Sequence, residues 1–298
     1  MPARMSTPVH PHTPRVAVPS GCTLGEEILW DTRSESLVWV DIEDPSVWRH
    51  RPATDETRRL AVDEKISFAL LTPDPDVVLA GFQSGVALLN LETGARDPLV
   101  RPDPHPPNNR LNSGAVGPDG ALWFSSMDDA EARPTGGFHR WDGGTLTDFG
   151  GSVSVTNGPI LSPDARLIYT IDTANNVVRV HDYDGTRVGE PRPLIVFEEG
   201  WGKPDGLTVD AEGHLWICHY AGSRITRFTP DGQVERILPV PTALVTKCTF
   251  GGPALTTLYI TTCRRGRDPV IDPMAGHVSV VETDVRGFAG RIFRGAGP

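Results

Sequence analysis

A unit of about 45 residues recurs along this chain, and that period constrains the fold more than any other feature of the sequence. Six strand-like runs lie over one another: "SLVWVDI", "DVVLAGF", "ALWFSSM", "RLIYTID", "HLWICHY" and "TLYITTC". Their anchors are Trp39, Val78, Trp123, Tyr169, Trp216 and Tyr259, at intervals of 39, 45, 46, 47 and 43 residues. A second strand-like run follows each, usually leaving through a turn, as in "NVVRVHDYDG" and "SRITRFTPDG". Long helical periodicity is absent, while Gly and Pro are abundant, which is the pattern of an all-β chain. A repeat of this length is one four-stranded propeller blade, and such a blade buries both faces of its sheet only against neighbours in a closed ring. The expected fold is therefore all-β: a six-bladed β-propeller with four antiparallel strands per blade. The apolar "RVAVPS" before Cys22 is placed to supply the outer strand of the last blade and close the ring. A pair of β-sandwiches is the alternative, and the regular spacing disfavours it.

The same reading sets the domain organisation. Residues 1–15, rich in Pro and His, read as a flexible N-terminal extension, and 16–298 as a single propeller domain. Acidic side chains outnumber basic ones by ten and the basic ones are dispersed, which argues against nucleic acid and against an anionic membrane surface. No apolar run approaches the roughly 20 residues that span a bilayer, and the N-terminus lacks the apolar core of a secretory signal, so a cytoplasmic protein is expected. Cys22, Cys218, Cys248 and Cys263 have neither C-x-x-C nor zinc-like spacing and read as buried reduced thiols.

Repeat phase also selects candidate functional residues. If each anchored run is the second strand of its blade, positions 11 to 13 residues upstream mark one level of the inner strands that line the channel: Glu26, Ser67, Asn112, Asn157, Asp205 and Cys248. Singly, each polar member has an ordinary explanation: Asn157-Gly158 as a turn, Asp205 in a Pro-Asp-Gly turn, Glu26 as a solvated edge residue. Taken at one phase, two carboxylates and two amides converge on one axis, an arrangement costly to desolvate unless a divalent cation pairs with it.

At these residues the sequence resembles the SMP-30/gluconolactonase/luciferin-regenerating-like family over approximately residues 21–295. The motifs are "LGEEILWD", "NNRLNSGAVGPDGALWFSSMD", "TNGPILSPDARLIYTIDT", "GKPDGLTVDAEGHLWICHY" and "TKCTFGGPALTTLYITTC". The resemblance implies a six-bladed propeller with one divalent metal in the mouth of its channel. It implies Glu26, Asn157 and Asp205 as metal ligands, and Arg110 and Asn112 as holders of substrate oxygens, with Asn112 close to the metal. It also implies that Asp128 or Asp129, in "SSMDD", binds substrate hydroxyls.

The reaction expected is metal-dependent hydrolysis of a sugar lactone to the aldonic acid, on a small-molecule substrate, by a monomer or weak homo-oligomer. An all-oxygen site suits Ca, Mg or Mn, and Zn or Fe(II) can also occupy one. The metal would polarise the carbonyl, and Asp205 would act as general base on water. Neither a G-x-S-x-G elbow nor an H-E-x-x-H motif is present, which argues against a serine hydrolase and a zinc peptidase; His10, His12, His219 and His277 read as extension or blade residues. Alternatives are a calcium-dependent hydrolase of other lactones or phosphotriesters, a non-catalytic calcium-binding protein, and a propeller that only presents a face to protein partners.

Overall fold

Short β-branched and aromatic runs punctuated by Gly, Pro, Asn and Asp produce only strands, turns and irregular chain. The computed structural model describes residues 7–295, and within them there are 24 strands and no helix. The chain opens on β1 (Arg15–Val18) and then lays down blades in order. Blade I is β2 (Gly25–Asp31), β3 (Ser36–Asp41), β4 (Ser46–Arg51) and β5 (Glu56–Ala61); blade II is β6 (Ile66–Leu71), β7 (Val77–Phe82), β8 (Gly85–Asn90) and β9 (Arg96–Val100). Blade III is β10 (Asn109–Val116), β11 (Leu122–Asp128), β12 (Gly136–Trp141) and β13 (Leu146–Val153); blade IV is β14 (Thr156–Leu161), β15 (Leu167–Asp172), β16 (Val177–Asp182) and β17 (Arg192–Val196). Blade V is β18 (Lys203–Val209), β19 (Leu215–Tyr220), β20 (Arg224–Phe228) and β21 (Val234–Pro239), and blade VI is β22 (Val245–Gly251), β23 (Thr257–Thr262), β24 (Val278–Glu282) and β1. All the pairings within these sheets are antiparallel, so the expected six-bladed propeller is the fold.

Every repeat anchor sits on a second strand, and the reason is packing. Second strands are covered on both faces by neighbouring blades, so they accept large apolar side chains: Trp39, Val78, Trp123, Tyr169, Trp216 and Tyr259 are all buried. Outermost strands face water on the rim and lose the pattern, as in β5, whose residues are nearly all exposed. Ring closure follows the expectation: β1 pairs antiparallel with β24, Arg15 opposite Val280 and Val18 opposite Val278. Pairing β1 with blade VI in one sheet covers the edge of β24 and gives that blade its fourth, outer strand.

Both termini also cross between blades. Of the expected extension, residues 1–6 lie outside the described residues, Pro8 to His10 run beside β21 through two backbone bonds to Ile237, and Arg15 already belongs to β1. After β24 the chain crosses the far face of the ring: the Gly290 N–H reaches Trp30 O, the Phe293 N–H reaches Leu71 O at 2.8 Å, and the Phe293 ring stacks on Trp141. Among the described residues no helix is long and apolar enough to cross a membrane. All four cysteines are free and buried.

Candidate active site

Each of the six inner strands breaks register at the level that repeat phase had selected. The irregularities fall between Glu26 and Leu29, Ile66 and Phe68, Leu111 and Gly114, Asn157 and Ile160, Pro204 and Leu207, and Val245 and Lys247. A bulge adds a residue on one strand and re-aims the side chains beside it, which is how polar groups turn towards the channel without ending the ladder. Asn157-Gly158 is therefore not a hairpin turn; it lies inside β14. Gly158 has φ +74°, and a Cβ there would meet the Tyr169 carbonyl oxygen at 2.8 Å, so only glycine fits. Asp205-Gly206 is likewise inside β18, and Glu26 is only 8% exposed on an inner strand.

Glu26, Arg110, Asn112, Asn157 and Asp205 line one cavity of about 310 Å³ at the mouth of the channel, at the lower end of the range for small-molecule sites. Asn157 is oriented from both sides: Oδ1 accepts from Ser113 Oγ at 3.2 Å, and Nδ2 donates to Thr173 Oγ1 at 3.1 Å, which in turn donates to Pro204 O. Arg110 donates through Nε to Asp129 at 3.1 Å and through its terminal nitrogen to Leu111 O and Asn112 Oδ1, while Asn112 Nδ2 donates to Thr156 O. The two remaining members of the phase ring do not join the cavity. Ser67 donates to the Leu111 carbonyl, and Cys248 packs in the core between blades V and VI.

The acidic pair after Met127 is placed differently from the expectation. Asp128 is fully buried in its own loop, accepting from the Ala132 and Arg133 N–H groups at 3.0 Å and from the Arg133 side chain, so it does not reach the cavity. Asp129 lies behind Arg110, held by Lys65 Nζ at 2.9 Å. Glu131, two residues further on, is the acidic group of this loop that lines the cavity. Sequence marked the loop as acidic, yet which carboxylate turns inward depends on the tight Asp128–Ala132 turn, which leaves no periodic signal. Lys203 and Arg265 also line the cavity and were not singled out by phase.

Electrostatics distinguish this cavity from an ordinary polar crevice. Burial first, and then the neighbouring Glu27 carboxylate, push the Glu26 carboxyl up to about 7, with Lys247 partly opposing. Asp205 is raised well above the ordinary carboxylate range, by burial and then by Glu26, and the Asn157 side chain offsets part of this. Two carboxylates thus repel one another in a confined channel, and the Lys247 ammonium is bonded to Glu27 at 2.6 Å rather than to either of them. Among the described residues no cluster of three or more His, Cys, Asp or Glu side chains is placed to hold a metal. A set of two carboxylates with an amide oxygen is nevertheless chemically suited to a hard divalent cation, which would supply the missing countercharge.

Comparison with known proteins agrees with this geometry. Residues 24–264 match the model of the SMP-30/Gluconolactonase/LRE-like region. The L-arabinolactonase of Azospirillum brasilense is 34% identical over 92% of this chain and 93% of its own, and the 6-deoxy-6-sulfogluconolactonase of Pseudomonas putida is 32% identical over 91% and 95%. Among solved structures, regucalcin from Agrobacterium tumefaciens, described as a calcium-binding protein, superposes with a TM-score of 0.91 at 25% identity, covering 96% of this chain and 99% of that one. A match through all but the ends of the ring, relatives aligned over nearly their full lengths, and a repeat-derived fold that superposes on a solved relative place this chain in the SMP-30/gluconolactonase/LRE-like family.

Proposed function

We propose that the protein is a divalent-metal-dependent lactonase that hydrolyses a sugar lactone to its open aldonic acid. The observation that carries the reading is the convergence of Glu26, Asn157 and Asp205 with Arg110 and Asn112 on one small cavity. Full-length relatives named as lactonases support the reaction class. Glu26, Asn157 and Asp205 would hold the cation through oxygen; when bound, it supplies a Lewis acid and a countercharge for an oxyanion.

The chain's own residues account for the remainder. Hydrolysis requires water oxygen to bond to the lactone carbonyl carbon and the ring C–O bond to break, with one water proton ending on the ring oxygen. Asp205 would take that proton and return it; burial and then Glu26 disfavour its ionised form, which a bound cation would favour. Arg110, its plane fixed by Asp129, presents donors to substrate oxygens, and Asn112 stands beside it. Glu131 is an acceptor for hydroxyl groups at the rim, the role first given to Asp128 or Asp129. This division of labour favours a polyhydroxylated substrate over a phosphotriester.

The test is a pH-stat assay of pentono- and hexonolactones with Ca²⁺, Mg²⁺, Mn²⁺ or Zn²⁺, before and after chelation. Activity should vanish on metal removal, return on readdition, and fall by about a hundredfold or more in Asp205→Asn. Undiminished hydrolysis in fully chelated protein would refute the metal-dependent reading.

A further inference from the structure

Beneath the proposed ligand ring lies a buried ion pair that the mechanism above does not use. Glu27 follows Glu26 in the β2 bulge and has φ +42°, a strained conformation for a residue with a side chain. Its carboxylate takes Lys247 Nζ of β22 at 2.6 Å on one oxygen and faces the Gly114 N–H of β10 at 3.4 Å with the other. Glu27 of blade I thereby reaches blades VI and III, which places it across the channel floor. Lys247 also runs past the other side of the site. A Cβ on Gly206 would stand 2.5 Å from Lys247 Cδ, so the lysine stem runs directly past the residue after Asp205. The bulge couples the two glutamates as well, since the Glu27 N–H donates to Glu26 Oε2 at 3.1 Å.

Resting on the metal-site reading, we infer that the Glu27–Lys247 pair is a positioning element that fixes the charge under the oxygen ring: Lys247 cancels Glu27, so that Glu27 adds no net charge to that which Glu26 and Asp205 present to a divalent cation. When all are ionised, Glu26, Glu27, Asp205 and Lys247 together carry minus two; Arg110, Lys203, Arg265 and Glu131, which line the cavity beside Glu26 and Asp205, are the same in every variant compared below. A buried pair of this kind contributes little to stability by itself, and loss of either partner leaves an uncompensated charge beside the ligand ring.

Calorimetric titration of the metal-free protein with Ca²⁺ and with Mn²⁺ tests this, using the full chain and the variants Glu27→Gln, Lys247→Met and the double Glu27→Gln/Lys247→Met. Lys247→Met leaves a third uncompensated carboxylate and should tighten binding by about tenfold or more; Glu27→Gln leaves an uncompensated ammonium and should weaken it by a similar factor. The double variant should return to within about threefold of the parent, because the charge sum is restored. Opposite signs with mutual rescue are not what loss of packing produces. If Lys247→Met fails to fold, Glu27→Gln carries the test, since it keeps the shape and an acceptor for Lys247. Singles that shift in the same direction, or stay within about threefold of the parent, overturn the inference. Glu26→Gln separates the two levels of argument: if it abolishes binding while the Glu27 and Lys247 variants are silent, only the charge inference falls, whereas a parent that binds neither ion overturns both.

Discussion

Neutralising Glu26 in the metal-free protein should make the fold more stable at neutral pH while destroying the site. Burial and Glu27 raise this carboxyl from an ordinary 4.5 to about 7. The sign follows from linkage: a folded-state pKa above the unfolded one means that the native state binds the proton more tightly, so the stabilising contribution is complete below 4.5 and is lost as pH climbs through 7. At about 1.4 kcal/mol for each tenfold difference in proton affinity, the loss between pH 4.5 and 8 is on the order of 3 kcal/mol. Histidines act in the opposite direction over part of this range. Burial pushes His219 down to about 3 and lowers His139 and His181, so their neutral forms favour folding as pH rises towards 6.5. The informative quantity is therefore the difference between the parent and Glu26→Gln, in which the histidine contributions cancel.

Urea unfolding in chelator, followed by tryptophan fluorescence, suits the measurement because Trp39, Trp123 and Trp216 are buried between blades. From pH 4.5 to 8, Glu26→Gln should gain about 3 kcal/mol relative to the parent, and Asp205→Asn should gain in the same direction, since Asp205 is raised by burial and by Glu26. Saturating Ca²⁺ should erase the parent's deficit and do nothing for Glu26→Gln. A difference that is flat across this range, or one that grows towards acid, would refute the picture of two uncompensated carboxylates in the channel.

Three shorter expectations follow from single contacts. Arg110→Lys keeps the charge but loses the planar fork held by Asp129, and should raise KM about tenfold or more in the lactone assay with a smaller effect on kcat. Gly206→Ala would force a Cβ to 2.5 Å from the Thr246 carbonyl oxygen, prying β18 from β22 beside Asp205; calorimetry should show a loss of about 1–3 kcal/mol. Deleting residues 1–18 removes β1 and exposes the edge of β24, so light scattering should reveal more association than the full chain gives under the same conditions.

Much of this architecture is written in one periodic signal. Trp39, Trp123 and Trp216 recur because only a second strand, covered on both faces, has room and need for such side chains, and counting back from them reaches the inner strands without any structure. What the count does not reach is whatever the bulges bring in from outside the phase. Glu27 and Lys247 are such residues: each follows a position already marked as inward, or precedes one, and only the broken register turns both towards the axis. Glu131 is hidden for a different reason, since its direction is set by the Asp128 carboxylate bonding two N–H groups in the same loop. The docking of Pro8 to His10 on β21 rests on two backbone bonds around Ile237, too short a contact to leave an alternating pattern.

The bulges also explain how a symmetric scaffold carries an asymmetric site. All six inner strands carry an irregularity near one level, and the side chains at or beside it differ from blade to blade: Glu26, Ser67, Asn112, Asn157, Asp205 and, in blade VI, Thr246, two residues before Cys248. Ser67 spends its hydroxyl on the Leu111 carbonyl and Cys248 fills core, so two of the six blades contribute packing rather than chemistry. Oxygen donors therefore crowd towards blades I, III, IV and V, and the loop carrying Glu131 and the Arg110–Asp129 pair both belong to blade III. On the proposed reading, a substrate bound beside the carboxylates would lean against that blade. Changes of lactone preference should accordingly map to the segment 128–135 and its neighbours, whereas changes in cation affinity should map to the inner strands alone.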